Sequence, residues 1–171
     1  LGKDVVVTGA GTIGLLAIQI FKAMGCKNIV ASDVAPGKLE MAKVMGANIV
    51  CNPIEESLED VCERELEDGA HVVFESSGAG PAKISAMAVA RGRATVLLVG
   101  TAHGPLTFTG PQFESISRKE LNVIGSWMNY SAPFPGTEWK TAAWMMEAGL
   151  INVDGLQTHT FPIEKIQDAY D

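Results

Sequence analysis

Cysteine is scarce in this chain of 171 residues, which contains three cysteines and no Cys-x-x-Cys spacing among them. An odd number of widely spaced cysteines excludes a disulfide framework, and the missing Cys-x-x-Cys pairs exclude a cysteine zinc knuckle. The three residues are Cys26, Cys51 and Cys62. Unpaired thiols fit a reducing compartment, so the sequence predicts a cytoplasmic protein.

Basic residues are also few: the chain has 13 Lys and Arg against 20 Asp and Glu, which gives a net charge of −7. Such a chain has no basic field that would attract phosphate backbones or anionic lipid, so nucleic acid is not an expected partner. Apolar runs such as Val96–Val99 are far shorter than the roughly 20 residues that cross a bilayer. A membrane partner is therefore not expected either.

The chain does have the composition of a packed protein, with 47% hydrophobic and 19% charged residues. That balance excludes a disordered or fibrous chain, and the length predicts one domain over residues 1–171. The sequence starts at Leu1 without a methionine, and residues 163–170 form an amphipathic helical pattern with no stop signal after it. We therefore expect this domain to be a piece of a longer protein.

Short apolar runs alternate with helical patterns along the whole chain. The runs lack polar alternation, as in strands that are covered on both faces, and predict strands at 5–7, 28–33, 49–51, 72–74, 95–99 and 121–127. Helical spacing predicts helices at 15–24, 36–43, 55–68, 81–90 and 139–146. This alternation predicts an α/β Rossmann fold: a doubly wound, mostly parallel six-stranded sheet with helices on both faces.

A G-x-G-x-x-G motif formed by Gly9, Gly11 and Gly14 lies between the first predicted strand and the first helix. In that setting Gly9 makes the tight turn, Gly11 leaves room for phosphates, and Gly14 lets the helix pack closely on the strand. The helix amides and the positive end of the helix dipole can then receive a pyrophosphate. A glycine-rich turn of another α/β protein, including a methyltransferase, is the alternative.

Asp33 ends the second predicted strand, where a carboxylate can accept hydrogen bonds from both hydroxyls of an adenosine ribose. Its charge would repel a 2′-phosphate, and Val34 offers no arginine to neutralise one, so NAD is favoured over NADP. The alternative is an Asp that only completes its own turn before Pro36. Lys38 fits the adenosine side of the pocket or an exposed helix surface.

Several segments in this order resemble the medium-chain zinc-dependent alcohol and polyol dehydrogenases. They are V-V-V-T-G-A-G-T-I-G-L-L-A-I-Q, A-S-D, F-E-S-S-G, L-L-V-G-T and T-H-T-F-P-I-E-K-I-Q-D-A-Y. Within that family the block Arg118–Ala142 is similar to the galactitol-1-phosphate 5-dehydrogenases, with sorbitol and threonine dehydrogenases more distant. Most residues of this block are not required by the fold, which makes it the more specific resemblance.

The resemblance implies an NAD site that extends beyond the glycine motif. The family's dinucleotide turn falls on Gly11, Thr12 and Ile13, its ribose carboxylate on Asp33 and its adenine-side basic residue on Lys38. Main-chain contacts to the nicotinamide fall on two strand ends: Val99, Gly100 and Thr101, and Ser126, Trp127 and Met128. From the residues alone, Val99 could equally be an ordinary buried strand residue and Trp127 a core aromatic.

The resemblance also implies that the catalytic zinc and its Cys, His and Glu ligands belong to a domain absent from this chain. His71, His103 and His159 are far apart in sequence and show no ligand spacing, so we expect neither a metal site nor a catalytic residue here. Glu75 is expected at a strand end facing the cofactor crevice, with only a weak case for a general base.

These observations predict the cofactor domain of an NAD-dependent enzyme that oxidises a secondary alcohol of a polyol or polyol phosphate, such as galactitol 1-phosphate, to a ketone. A zinc-free NADPH reductase of the same superfamily and a nucleotide-binding or methyltransferase domain are the alternatives. The period-2 segment Pro105–Thr109 predicts an edge strand. Its Leu106–Phe108 stretch would join two subunits of a homo-oligomer, or form a plain surface hairpin.

Overall fold

Six parallel strands form one sheet in the order β3-β2-β1-β4-β5-β6 in the computed structural model, which describes residues 1–128 and 132–170. The strands are β1 (Asp4–Thr8), β2 (Asn28–Ser32), β3 (Ile49–Cys51), β4 (Ala70–Glu75), β5 (Ala90–Leu98) and β6 (Asn122–Gly125). The helices are α1 (Thr12–Ala23), α2 (Pro36–Met45), α3 (Leu58–Glu65), α4 (Gly80–Val89), α5 (Gly110–Arg118) and α6 (Thr137–Glu147). The predicted doubly wound Rossmann fold is confirmed.

Alternate residues of the central strand β1 enter two separate cores. Val5 and Val7 pack on one face with Ile18 of α1, whereas Val6 packs on the other face with Val61 of α3 and Met87 of α4. All five residues of β1 are buried. A strand covered on both faces needs no polar alternation, which explains the uninterrupted valine run in the sequence.

The turn from β1 into α1 depends on two glycines. Gly9 has a φ of +89°, in the region that other residues rarely adopt, and a Cβ there would lie 2.8 Å from the Ser77 amide nitrogen. A Cβ on Gly14 would overlap the carbonyl oxygen of Gly9. The helix can therefore start directly beside the end of the strand only if both positions lack a side chain.

The edge strand predicted at Pro105–Thr109 is wrong, because the structure has no strand over those residues. Thr109 instead forms a capping box with Gln112 at the start of α5, a helix that the sequence analysis missed. Phe108 turns toward the core and packs edge to face on Phe113 at 6.3 Å between ring centroids. Thr109, with Gln three positions later, is the pattern that could have revealed this helix.

The helical pattern at 163–170 corresponds to two 3₁₀ turns, Ile163–Lys165 and Gln167–Ala169, so the expectation of a continuous helix is wrong. The apolar side chains of Ile163, Ile166 and Tyr170 are 73%, 52% and 82% exposed. A short helix is marginal in water unless its apolar face is packed, and here that face is open.

Replacing Gly14 by Ala should lower the free energy of unfolding by about 1–3 kcal/mol, because the added methyl overlaps the Gly9 carbonyl. Gly37→Ala is the matched control, since a Cβ at this helical glycine of α2 meets nothing within 4 Å. The control should leave stability unchanged or raise it by at most about 1 kcal/mol. Urea unfolding followed by circular dichroism measures both; equal effects would contradict the packing argument.

The three thiols should differ in reactivity at pH 8. Burial raises the pKa of Cys62 to about 12 and also raises the pKa of Cys51 and Cys26, which lowers the thiolate fraction of each. Cys51 and Cys62 are buried and Cys26 is partly exposed. A disulfide reagent should therefore label Cys26 first and the other two only on unfolding. The Cys26→Ser variant should lack the first labelling phase. Labelling of Cys51 and Cys62 in this folded variant would contradict their burial.

Candidate functional site

The carboxyl ends of all six strands lie along one edge of the sheet, as parallel pairing requires. A crevice of about 590 Å³ opens there beside β1. From β1 the chain winds outward through β2 and β3 and then returns to β4 on the other side of β1, so the crevice lies at the point where the strand order reverses. Residues from four of these strand ends and their turns line it: Thr8, Gly9, Gly11, Ser32, Asp33, Val34, Lys38, Pro53, Ile54, Ser76 and Ser77.

One end of the crevice is the amino terminus of α1. Gly11 is the N-cap residue, and it provides no side chain to bind the first-turn amides, which also have no acidic neighbour in that turn. A Cβ on Gly11 would meet nothing within 4 Å, so the space in front of these amides is open. Amides without intrahelical acceptors and a positive dipole end form an anion site.

Asp33 follows β2 and is held beside the glycine turn by two main-chain hydrogen bonds. Its Oδ2 accepts from the Ala10 amide at 2.8 Å, and its Oδ1 accepts from the Ala35 amide at 3.0 Å. Lys38 Nζ lies 3.8 Å from Oδ2, and the Asp33 side chain is 8% exposed. Asp33 therefore completes its own turn before Pro36 and also lines the crevice.

The far end of the crevice is apolar. Val34 and Ile54 are 56% and 77% exposed, and further apolar lining comes from Pro53, Leu58, Ala79, Pro81 and Ala82. A flat apolar ring such as a purine fits between such side chains. Sequence reasoning missed Pro53 and Ile54, which follow β3. The position of β3 next to β2 in a parallel sheet was the available clue.

The two other predicted strand ends, Val99–Thr101 after β5 and Ser126–Met128 after β6, lie on the same edge but outside the 590 Å³ crevice. The fold already uses several of their amides. Val99 and Gly100 donate to the Glu75 carbonyl at 2.8 and 2.9 Å, and Ser126 donates to Leu98 at 3.0 Å.

Trp127 and Met128 are 68% and 63% exposed, so Trp127 is not a core aromatic. Val99 is half-buried. Within the block Arg118–Ala142, residues 129–131 lie outside the part of the chain that the structure describes.

Glu75 does not face the crevice, which corrects the interpretation of this residue. Its side chain is fully buried and accepts hydrogen bonds from Ser77 Oγ at 2.6 Å, the Gly78 amide at 2.8 Å and Lys83 Nζ at 2.9 Å. Burying a carboxylate without hydrogen-bond donors is costly. These donors offset that cost and allow the Glu75 side chain to turn inward. Glu75 therefore has no access to a substrate and is not a general base.

Metal-ligand chemistry is not assembled in the described part of the chain, where no three His, Cys, Asp or Glu residues form a cluster. His71 accepts a hydrogen bond from the Asp4 amide at 3.1 Å, at the opposite edge of the sheet, and His103 and His159 are exposed. The described His, Cys, Asp and Glu side chains therefore offer no three-ligand set that would fit a zinc ion. Within residues 1–128 and 132–170, no helix is long and apolar enough to cross a bilayer.

Known proteins are similar to this chain in sequence and in fold. Galactitol 1-phosphate 5-dehydrogenase of Escherichia coli K12 is 40% identical over 169 residues, which are 98% of this chain and 49% of that enzyme. The crystal structure of galactitol-1-phosphate dehydrogenase from Escherichia coli superimposes with a TM-score of 0.88 at 38% identity, over 98% of this chain and 49% of that one. This chain thus spans about half the length of the relatives it matches.

Two further structures carry a nicotinamide cofactor. A short chain alcohol dehydrogenase from Escherichia coli CFT073, complexed with NADH, matches with a TM-score of 0.84 at 26% identity, over 99% of this chain and 48% of that chain. A zinc-binding dehydrogenase from Sinorhizobium meliloti 1021, bound to NADP, matches with a TM-score of 0.75 at 28% identity, over 90% and 44%.

A family model described as zinc-binding dehydrogenase matches residues 12–147, which is most of the chain. The matched region starts at the first residue of α1 and ends at the last residue of α6. It contains α1 and the crevice residues that follow β2, β3 and β4, whereas Thr8, Gly9 and Gly11 precede it. The resemblance predicted from the sequence is confirmed: the chain belongs to the zinc-binding dehydrogenase family.

Proposed function

We propose that residues 1–171 form the NAD-binding domain of a zinc-dependent polyol dehydrogenase. One observation carries the proposal: the Asp33 carboxylate is fixed 2.8 Å from the Ala10 amide, beside the open amino terminus of α1. The diphosphate and the ribose diol are adjacent groups in the adenosine half of a dinucleotide, so a helix amino terminus beside a carboxylate suits both.

Each predicted residue then has a role in holding the cofactor. The turn at Gly9, Gly11 and Gly14 brings the amides of Thr12 and Ile13 toward the diphosphate. Asp33 accepts hydrogen bonds from the ribose hydroxyls, and Lys38 lies on the adenosine side. Main-chain groups of Val99, Gly100, Thr101, Ser126, Trp127 and Met128 lie further along the edge, where the nicotinamide would extend.

Charge favours NAD over NADP. The Asp33 carboxylate would face a 2′-phosphate directly, and the next residue is Val34 where an NADP site often has an arginine. Two observations favour NADPH: the Lys38 ammonium is 3.8 Å from that carboxylate, and the similar dehydrogenase from Sinorhizobium meliloti is bound to NADP. The single Lys38 charge already offsets Asp33, so it leaves no positive charge for the phosphate. The zinc-free NADPH reductase therefore remains the second candidate, whereas dehydrogenase family membership argues against a methyltransferase domain.

In the longer protein we expect a separate domain to hold the catalytic zinc, which would polarise the oxygen of a secondary alcohol. The present domain would hold the nicotinamide that accepts the hydride. Similarity to galactitol 1-phosphate 5-dehydrogenase supports a polyol or polyol phosphate, in particular galactitol 1-phosphate, as the substrate that is oxidised to a ketone.

We also propose a cytoplasmic homo-oligomer. The three unpaired thiols support the compartment. For the oligomer we propose a contact at Leu106, since the segment Leu106–Phe108 forms no edge strand and Phe108 packs against the core. Leu106 is 40% exposed, which leaves an apolar side chain available to a second copy.

Asp33→Ser should raise the Kd for NADH by about 10-fold or more, because the ribose loses an ionic acceptor. It should also reduce the preference for NADH over NADPH, because the repelling charge is gone. Asp68→Ser is the matched control, since this exposed Asp precedes β4 at the opposite edge of the sheet. Fluorescence titration with both cofactors measures the ratio; an unchanged ratio in Asp33→Ser would contradict the assigned role.

The isolated 171-residue chain should bind NADH and oxidise no alcohol, with or without added zinc. The described residues assemble no zinc ligands, so the ion cannot activate the alcohol on this domain. The measurement is NADH production from galactitol 1-phosphate, sorbitol and threonine, with the longer protein as the positive control. Zinc-dependent turnover by the isolated chain would contradict the division of roles between the two domains.

A further inference from the structure

An ion pair is buried under the carboxyl edge of the sheet. Glu75, the last residue of β4, lies 2.9 Å from Lys83 Nζ of α4, and the side chains are 0% and 8% exposed. Removing two charges from water is costly, and a buried pair is by itself weak evidence for stability. The pair can be understood from the chain segments that it joins.

Glu75 binds two segments at once. Its carboxylate accepts from Ser77 Oγ and from the Gly78 amide, which are in the turn between β4 and α4. Its main-chain carbonyl accepts from the amides of Val99 and Gly100, which follow β5. Glu75 therefore fixes the chain segments that follow β4 and β5 relative to each other.

Lys83 completes the connection. Its ammonium donates to Glu75 Oε2 and, at 2.9 Å, to the carbonyl oxygen of Gly100. The two turns also touch directly, since a Cβ on Gly78 would overlap the Thr101 carbonyl and a Cβ on Gly100 would overlap the Gly78 amide nitrogen. Ionic hydrogen bonds and glycine contacts together leave the main chain of residues 99–101 little freedom to move.

We propose that Glu75 and Lys83 are positioning residues that hold the main chain of Val99–Thr101 in the orientation needed by the nicotinamide ring. The inference rests on the proposed function, since it assigns the nicotinamide to that segment. Neither side chain touches the cofactor. Preorganised main-chain groups bind a ring more tightly than mobile ones because less conformational freedom is lost on binding.

The test compares two ligands on the same chain. NADH contains the nicotinamide ring, whereas ADP-ribose has the adenosine, the diphosphate and the second ribose but no ring. Calorimetric titration of Lys83→Met should show about a tenfold loss of affinity for NADH, as expected for a lost ionic hydrogen bond. The affinity for ADP-ribose should change less than about twofold, because the crevice at α1 and Asp33 is intact.

A double variant separates positioning from the effect of an unpaired buried charge. Glu75→Gln with Lys83→Met removes both charges, and Gln keeps an oxygen for the Gly78 amide, but the bond to the Gly100 carbonyl is still missing. This variant should fold even where Lys83→Met does not, and it should show the same selective loss for NADH. Lys43→Met is the matched control, since this exposed lysine of α2 pairs with Glu40 at 2.8 Å; it should change neither affinity.

The outcomes distinguish the inference from the function on which it rests. Equal losses for NADH and ADP-ribose, or no loss for either in the folded double variant, would overturn the positioning role and leave the dinucleotide site in place. If the unsubstituted chain bound neither ligand, the proposed function would fail, and the positioning role with it.

Discussion

The close approach of α1 to the end of β1 is the contact on which the rest of the candidate site depends. Gly14 packs so tightly on the Gly9 carbonyl that any side chain at position 14 would separate helix and strand. This contact points the amino terminus of α1 at the carboxyl edge of the sheet. The bond from the Ala10 amide to Asp33 then fixes the next strand end against the same turn. An anion site and a carboxylate become neighbours because two strands and one helix meet at a single turn.

The two halves of this edge are held by different chemistry. On the β2 side, one carboxylate binds two main-chain amides and remains at the crevice wall. On the β4 and β5 side, the fully buried Glu75 and Lys83 connect the strand ends beneath the surface. The Asp33 side chain is 8% exposed and lines the crevice, whereas the Glu75 side chain is fully buried. Two acidic strand ends that look alike in sequence thus differ in burial and in hydrogen-bond partners, because different donors surround them.

Much of the architecture could be predicted because it follows from local pattern. Apolar runs without alternation identified every strand of the sheet, and glycine spacing located the first turn. The wrong predictions concern segments where pattern and packing disagree. Pro105–Thr109 alternates like a strand, yet Thr109 is used as a helix cap. Residues 163–170 have helical spacing, yet their apolar side chains are exposed and only 3₁₀ turns form. The spacing of apolar residues in the sequence does not specify which part of the protein will cover their side chains.

By itself the sequence determined the parallel α/β class, the glycine turn and the presence of a carboxylate after β2, because each depends on residues near in the chain. Only the tertiary structure decided which strand-end residues face the crevice. Pro53 and Ile54 line it and Glu75 does not, although all three follow or end strands of the same sheet. Side-chain direction at a strand end depends on partners that are distant in sequence. For Glu75 these partners are Lys83 and Gly100, and no local sequence pattern indicates them.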